Sequence, residues 1–328
     1  MRGPLEANAG EYVEIPFTVE PNYSGWRLDH YLCAKMRRLS RTRVQRIIRR
    51  GLVSERPLKP STRVVPGLSF RLRRPTLDEP ETPTDVRELH LDDAILVVDK
   101  PAGLPVHPTA RYHSGTLVSV LKRRYGADFR ADPAHRLDRE TSGLIVCGRT
   151  LQSCQTLMRS FLLGAVHKEY LAIAEGWPPQ DLFEVDAPIA EGTPRIRIAV
   201  RIDPVAGKLA RTRFEVLRRI ERGGDRFALL RAFPQTGRQH QIRIHLREAG
   251  FPIVGDKMYG PDEAYFDRFS KRCLEPEAWD RLRLPRHALH AAHLSFPHPE
   301  GGGDVAFDAP LPQDLIAFLE GGAVSRAT

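Results

Sequence analysis

Five short apolar runs constrain the fold of this chain more than any other feature: AILVVD at 94–99, GLIVCG at 143–148, YLAIAEG at 170–176, RTRFEVLRR at 211–219 and RFALLRAFP at 226–234. Each has strand length and is bounded by glycine, proline or charged residues, the marks of strands buried largely in a sheet. Helical spacing of apolar residues falls among and after them, at 115–124, 151–162, 237–249 and 315–319. Strands in close succession with helices interspersed predict an α+β fold built on a mixed, largely antiparallel sheet. A chain of 328 residues has room for one such domain and a smaller one beside it.

The first 75 residues read differently. Ile15, Phe17 and Val19 alternate between Glu14 and Glu20, predicting a half-buried strand. Leu28, Tyr31 and Leu32 have the spacing of a short helix. Ser40 is placed to cap a second helix that turns Val44, Ile47 and Ile48 inward and stops at Gly51. Its other side carries Arg41, Arg43, Arg46, Arg49 and Arg50, and no acidic residue occurs from Cys33 to Arg50. A merely solvated face mixes signs, so this one points to phosphates, and the chain's net charge of +9 agrees. Residues 75–90, PTLDEPETPTDVRELH, combine proline and acid without apolar periodicity and read as a linker.

Several classes lack support. No run approaches the roughly 18 apolar residues of a membrane span. The start, MRGPLEANAGEY, has no apolar segment of a secretory signal, which predicts the cytoplasm. The four cysteines are far apart and form no CxxC, so neither a disulfide framework nor a zinc knuckle is expected. His287, His290 and His293 are spaced by three, but they straddle an expected helix-to-strand change and have no companion Cys or Asp, so no metal is expected. There is no G-x-S-x-G for a serine hydrolase and no Walker A loop for nucleotide hydrolysis.

Chemistry concentrates in AHRLDRETSGLIVCGRT, 134–150, where a polar loop enters an apolar strand. Arg136 and Arg139 flank Asp138 and will hold it ionised. A lone aspartate in a loop is most often a turn-maker. The string as a whole says otherwise. HRLDRETSGLIV closely resembles the signature of the RluA-type pseudouridine synthases. The likeness continues in that family's order through LDDAILVVDKPAGLPVHP (91–108), GTLVSVL (115–121), VHKEYLAIAEG (166–176), PQTGRQHQIRIHL (234–246), GFPIVGDKMYG (250–260) and LHAAHLSFPHP (289–299).

The resemblance implies a catalytic domain over 91–321 with Asp138 as nucleophile, Tyr170 as active-site tyrosine and Arg243 as its arginine. Arg136 would fill the space left by an extruded base, His135 would help hold the displaced partner, and Arg238 is expected to contact RNA. RLDHYL, SRTRVQRIIRRGLV and KPSTRVVPGLSFRL are similar to the alpha-L RNA-binding module over residues 18–74. The chain departs from that module at Ser54-Glu55-Arg56-Pro57, where the family has a Val-Asn-Gly turn. An extension (1–17) and a tail (322–328) complete the expected division. The implied activity is an isomerase acting on RNA uridines, most often in large-subunit ribosomal RNA, with transfer RNA as the other target class. No cofactor and a monomer are expected.

A carboxylate can act on uridine at C6 of the base, at C1′ of the ribose, or on the proton at C2′; the sequence leaves these routes open. All need an ionised, fixed carboxylate, which a paired guanidinium provides. Thr236 and Gln239 have capping-box spacing, so a helix should start there with Arg243 in its second turn. Asp138 with Glu140 or Glu169 could form a glycosidase-like pair, although the arginine-rich setting suits a phosphodiester-linked substrate better. Two rival functions remain in view: a non-catalytic RNA-binding or ribosome-assembly protein, and a nucleosidase releasing free uracil.

Overall fold

The computed structural model describes residues 12–36, 39–75, 79–109, 112–192, 196, 198–271 and 273–322. The expected extension falls mostly, and the expected tail almost wholly, outside them. The chain divides into two compact units, Met1–Glu79 and Pro80–Thr328.

In the first unit, strand β1 (Tyr12–Thr18) is followed by helices α1 (Leu28–Lys35) and α2 (Arg41–Gly51), then β2 (Leu52–Val53) and β3 (Ser69–Pro75). The strands form an antiparallel sheet in the order β1-β3-β2. Leu28, Tyr31, Leu32, Val44, Ile48, Phe70 and Leu72 make its core, so the predicted helix faces pack as their spacing requires. Ser40 caps α2, its hydroxyl accepting from the Arg43 amide at 3.4 Å.

The second unit holds a ten-stranded sheet. It opens with β4 (Arg87–Leu91), β5 (Ile95–Lys100), α3 (Leu117–Tyr125), β6 (Asp132–Pro133), β7 (Ser142–Gly148), α4 (Leu151–Leu162) and β8 (His167–Glu175). The middle comprises β9 (Leu182–Asp186), β10 (Ile189–Glu191), β11 (Val200–Ile202), β12 (Arg211–Arg222), β13 (Asp225–Pro234) and α5 (Gln241–Glu248). Then come α6 (Ala264–Ser270), α7 (Pro276–Leu282), β14 (Leu289–Pro297), β15 (Asp304–Asp308) and α8 (Gln313–Glu320). The sheet runs β4-β5-β7-β14-β8-β13-β12-β9, with β6 added to β7 and β15 to β14. Among the described pairings only β7 with β14 is parallel. The expectation of a mixed, largely antiparallel sheet therefore holds.

The central strands are apolar throughout because both sheet faces are covered. Leu96, Val98, Ile145 and Cys147 face α3, whereas Ile95, Val97, Leu144 and Val146 face α4. A third cluster packs Ala172, Ala174, Leu230 and Ala232 against Ile242, Leu246, Leu315 and Phe318 of α5 and α8.

Three expectations shift. The acidic segment read as linker to residue 90 contributes Arg87–His90 to the edge strand β4, because this edge needs only backbone pairing with Val97–Asp99 and little apolar area. The histidines at 287–293 follow loop rather than helix, since α7 ends at Leu282. The helix expected from Gly237 begins only at Gln241, for reasons that lie in the site itself.

One register detail positions everything that follows. Ala291 of β14 pairs with Gly143 of β7 on one side and with Tyr170 of β8 on the other. Gly143 has φ 110°, and a Cβ there would lie 2.2 Å from the Ala291 carbonyl oxygen. Only glycine allows this approach. It sets the loop before β7, which carries Asp138, next to Tyr170.

Candidate active site

The loop ahead of β7 is clamped from below. Lys100, fully buried, donates from Nζ to the carbonyls of Pro101 (2.9 Å), Leu104 (2.9 Å) and Arg139 (3.2 Å). Gly103 donates its amide to the same Arg139 carbonyl at 2.8 Å. Burial pushes the Lys100 pKa down to about 7, helped by the Arg286 charge, so the three carbonyls are what keep its ammonium in place. Leu137 is buried beside this clamp and Asp138 emerges from it.

Asp138 accepts a hydrogen bond at Oδ2 from Arg243 Nη1 at 2.7 Å, and its Oδ1 lies 3.6 Å from His240 Nε2. Burial alone would raise its pKa, but His240, which becomes protonated in acid, and Arg243 outweigh that and lower it to about 2. Arg243 is itself fixed. Its Nε and Nη2 donate to Asp256 Oδ2 and Oδ1 at 2.7 and 2.9 Å, and its guanidinium lies 5.0 Å from the Tyr259 ring centroid. Asp256 is fully buried, and its Oδ1 also accepts the amides of Met258 (2.9 Å) and Tyr259 (3.0 Å). One guanidinium thus faces two carboxylates.

Tyr170 lies in β8 on the same cavity wall. Burial and the neighbouring Asp138 charge raise its pKa, so it stands there as a neutral phenol. The cavity has a volume of about 520 Å³, within the roughly 300–1,000 Å³ range of small-molecule sites. Asp138, Tyr170, Arg243 and Leu289 line its base, Arg136, Met158 and Leu162 one rim, and Gln235–Gln239 the other. A second depression of about 450 Å³ is lined by Phe183 and Phe251 with Glu184, Asp186 and Glu248, an acidic setting unsuited to a polyanion.

The structure thus brings Asp138, Tyr170 and Arg243 into one cavity. Arg136 is exposed at its rim, as is Arg238, whose Nε donates to the Leu209 carbonyl at 3.1 Å. His135 borders the cavity, but its Nε2 accepts the Val146 amide at 3.1 Å and its ring stacks on Phe161. Burial lowers its pKa to about 3, leaving a neutral ring that ties the loop to β7.

The capping-box expectation is corrected. Thr236 donates not to a helix end but to Gln241 Oε1 at 2.7 Å, which also accepts the Arg238 amide at 3.0 Å. His240, in left-handed conformation at φ 53°, then starts the helix, so Arg243 falls in its first turn. Neither alternative carboxylate is free to act with Asp138. Glu140 accepts from Lys257 Nζ (3.0 Å) and Arg139 Nη2 (2.9 Å), and Glu169 pairs with Arg231 at 3.5 Å. The three spaced histidines go separate ways, His287 to Thr141 Oγ1, His290 to Ser142 Oγ and His293 to Asp308. Among the described residues no group of three His, Cys, Asp or Glu is arranged for a metal.

Sequence reasoning missed His240, Tyr259, Asp256 and Lys100. For Asp256 a signal existed: an acid between glycine-bounded apolar residues in GFPIVGDKMYG, in a basic chain, must find a cation.

In the first unit, Arg43, Arg46, Arg49 and Arg50 are exposed. Arg41 departs from the expected coat. It lies on the side of Ile48, seven residues on, and its Nε donates to Asp29 Oδ2 at 3.1 Å. Asp29 is fully buried and also receives Arg27 and Gln45; against the cost of burial, these hydrogen bonds hold its pKa far down. Arg41 is therefore committed to the fold first.

The chain matches the family described as RNA pseudouridylate synthase over residues 94–248. A Chloroflexus aurantiacus protein named an uncharacterized RNA pseudouridine synthase is 37% identical, covering 97% of this chain and 97% of its own length. Ribosomal large subunit pseudouridine synthase D of Neisseria meningitidis serogroup A is 35% identical, covering 93% of this chain and 81% of that protein. Among solved structures, human RNA pseudouridylate synthase domain containing 1 superposes with a TM-score of 0.56 at 26% identity, covering 71% of this chain and 86% of that one.

Proposed function

Because the chain belongs to the RNA pseudouridylate synthase family, we propose that it isomerises uridines of large-subunit ribosomal RNA with Asp138 as its catalytic carboxylate. The reaction class, uridine to pseudouridine in RNA, comes with the family. It breaks the bond between N1 and C1′, turns the uracil, and joins C5 to the same C1′. No atoms are gained or lost.

The observation that carries the assignment is the 2.7 Å contact from Arg243 to Asp138 at the base of a cavity walled by Tyr170. Whether the carboxylate attacks C1′ or C6, or removes the C2′ proton, it must be ionised and held in direction, and Arg243 does both. Tyr170 offers its ring to the base and, as a neutral phenol, its O–H as a proton donor. A base inside a stem must leave the stack to enter, at roughly a few kcal/mol. Arg136 at the rim is suited to fill the place it leaves.

The ribosomal target rests on relatives named for the large ribosomal subunit and on the exposed arginines of α2. We read residues 18–74 as the RNA-binding module, 91–321 together with strand β4 as the catalytic domain, and 75–86 as their linker. We take it to act as a monomer in the cytoplasm. The test is to incubate purified protein with transcripts of large-subunit ribosomal RNA and of transfer RNA, and to map pseudouridine with carbodiimide. Pseudouridine in the ribosomal transcript, abolished by Asp138→Asn, is expected. Product in transfer RNA alone overturns the target, abasic product points to a nucleosidase, and full activity of Asp138→Asn overturns the catalytic assignment.

A further inference from the structure

His240 occupies the cavity in a left-handed backbone conformation that is disfavoured for a non-glycine residue, yet beyond its electrostatic effect on Asp138 none of the roles above uses it. Its surroundings determine where its proton sits. Nδ1 lies 2.8 Å from the hydroxyl of Tyr259, a residue only 2% exposed. That hydroxyl already accepts the Val200 amide at 2.7 Å, so its own proton needs an acceptor, and Nδ1 is the one within reach among the described residues. The phenol therefore donates to Nδ1, and the imidazole carries its proton on Nε2. Nε2 faces Asp138 Oδ1 at 3.6 Å. The charge of Asp138 favours the same tautomer, because an imidazole lone pair aimed at a carboxylate is repelled. The other neighbour of Nε2, the Gln239 amide nitrogen, is at the surface and 3.4 Å away, a longer and weaker contact than the 2.8 Å one from Tyr259 to Nδ1.

We propose that His240, with its tautomer set by Tyr259, is a positioning residue that turns a neutral N–H toward Oδ1 of Asp138 and so directs that oxygen without binding it tightly. The inference rests on the assignment of Asp138 above. Arg243 holds Oδ2 by a short charged hydrogen bond, while Oδ1 faces an uncharged donor beyond hydrogen-bonding distance. One oxygen is anchored and the other is directed but left reactive. A protonated imidazole at this place would close onto Oδ1 as a second cation and blunt it. Burial, above all, disfavours that form and lowers the ring's pKa to about 4; Asp138 and Asp256 pull it up, and Arg243 and Arg136 push it down. The hydroxyl of Tyr259 adds to this by occupying the nitrogen a second proton would take.

The test is single-turnover conversion of a large-subunit ribosomal RNA transcript from about pH 5 to 8, with RNA affinity measured by filter binding. His240→Ala should lower the rate constant roughly 10- to 100-fold with affinity within about twofold of wild type. His240→Gln, which can supply an N–H at similar reach, should recover most of that loss. Tyr259→Phe leaves Nδ1 open to a proton, so an acid limb should move up from the wild-type pKa of about 4 and enter the measured range. The limb should be missing from wild type and from the double variant Tyr259→Phe/His240→Gln. A His240→Ala rate within about twofold of wild type, or a Tyr259→Phe profile without the limb, overturns the proposal; if His240→Ala does not fold, the Tyr259→Phe profile decides. A wild type that makes no pseudouridine overturns the functional reading instead.

Discussion

Asp256 and Arg243 meet in a two-point ion pair, at 2.7 and 2.9 Å, on the side of the guanidinium turned away from Asp138. A single cation between two carboxylates leaves the set with net negative charge. Arg243 is thereby oriented, and Asp138 is held ionised without having its charge fully cancelled. The backbone beneath is built for this: Gly255, at φ 77°, has the Arg286 carbonyl where a Cβ would stand, 2.0 Å away, and so Asp256 enters its turn.

Asp256→Asn keeps the shape and removes the charge. With only one carboxylate to satisfy, Arg243 should turn toward Asp138 and neutralise it more completely. Single-turnover rates should fall roughly 10- to 100-fold while RNA affinity stays within about twofold. An unchanged rate would show that the orientation of Arg243 does not depend on Asp256.

Arg243→Met should act through pH. The wild-type Asp138 pKa is depressed to about 2, so its ionised form persists at every pH above that, and no acid limb from this group is expected near neutrality. Without the guanidinium, burial acts with less opposition and the pKa rises. Residual activity should then fall as pH drops through the raised value, in a rate profile taken from about pH 4 to 8. A residual rate as flat with pH as that of wild type would contradict the pairing.

Stability should decline in acid in two stages. His135 and His287 are held to a pKa of about 3, and His240 and His290 to about 4, in each case chiefly by burial. Below about pH 6.5 the unfolded chain takes up protons these folded histidines refuse, so stability falls as pH drops from there. Asp138 and Glu140, depressed to about 2 against the cost of burial, contribute stability that is present above the usual carboxylate pKa of about 4 and disappears as pH falls toward 2. Thermal denaturation followed from pH 8 to 3 should show Tm dropping first near pH 6.5 and more steeply below 4.

The arginine face of α2 should separate by position. Reversing Arg43, Arg46 and Arg50 to Glu should weaken RNA binding and flatten its salt dependence, by roughly 0.7 in log–log slope for each phosphate of a single strand that these side chains no longer neutralise. Arg41→Ala should instead lower the Tm of the first unit, since it strips a partner from buried Asp29. A triple reversal that leaves the slope untouched would remove α2 from the RNA surface.

Strand runs and helix faces were legible because burial imprints a period on the residues. Val44 and Ile48, or Ile95 to Val98 alternating between two cores, say which way each side chain points. The local string around Asp138 was legible too, since its chemistry lies in consecutive residues. What was not legible came from interactions across long stretches of chain. Nothing near Gln241 reveals that its side chain would satisfy Thr236 and Arg238 and delay the helix. Arg41 could not be told from Arg43 until Asp29 was seen behind it. Asp256 showed its need of a cation, but which cation, like the partner of the Tyr259 hydroxyl, was set by another stretch of chain.

Ala291 links the two halves of the reactive pocket, touching Gly143 on one side and Tyr170 on the other, although it enters the chain more than a hundred residues after either. A polypeptide still emerging from the ribosome could therefore hold its aspartate, its tyrosine and its arginine and yet lack the strand that sets them side by side. Alignment of the aspartate's loop with the tyrosine's strand therefore waits on β14, which is made after both.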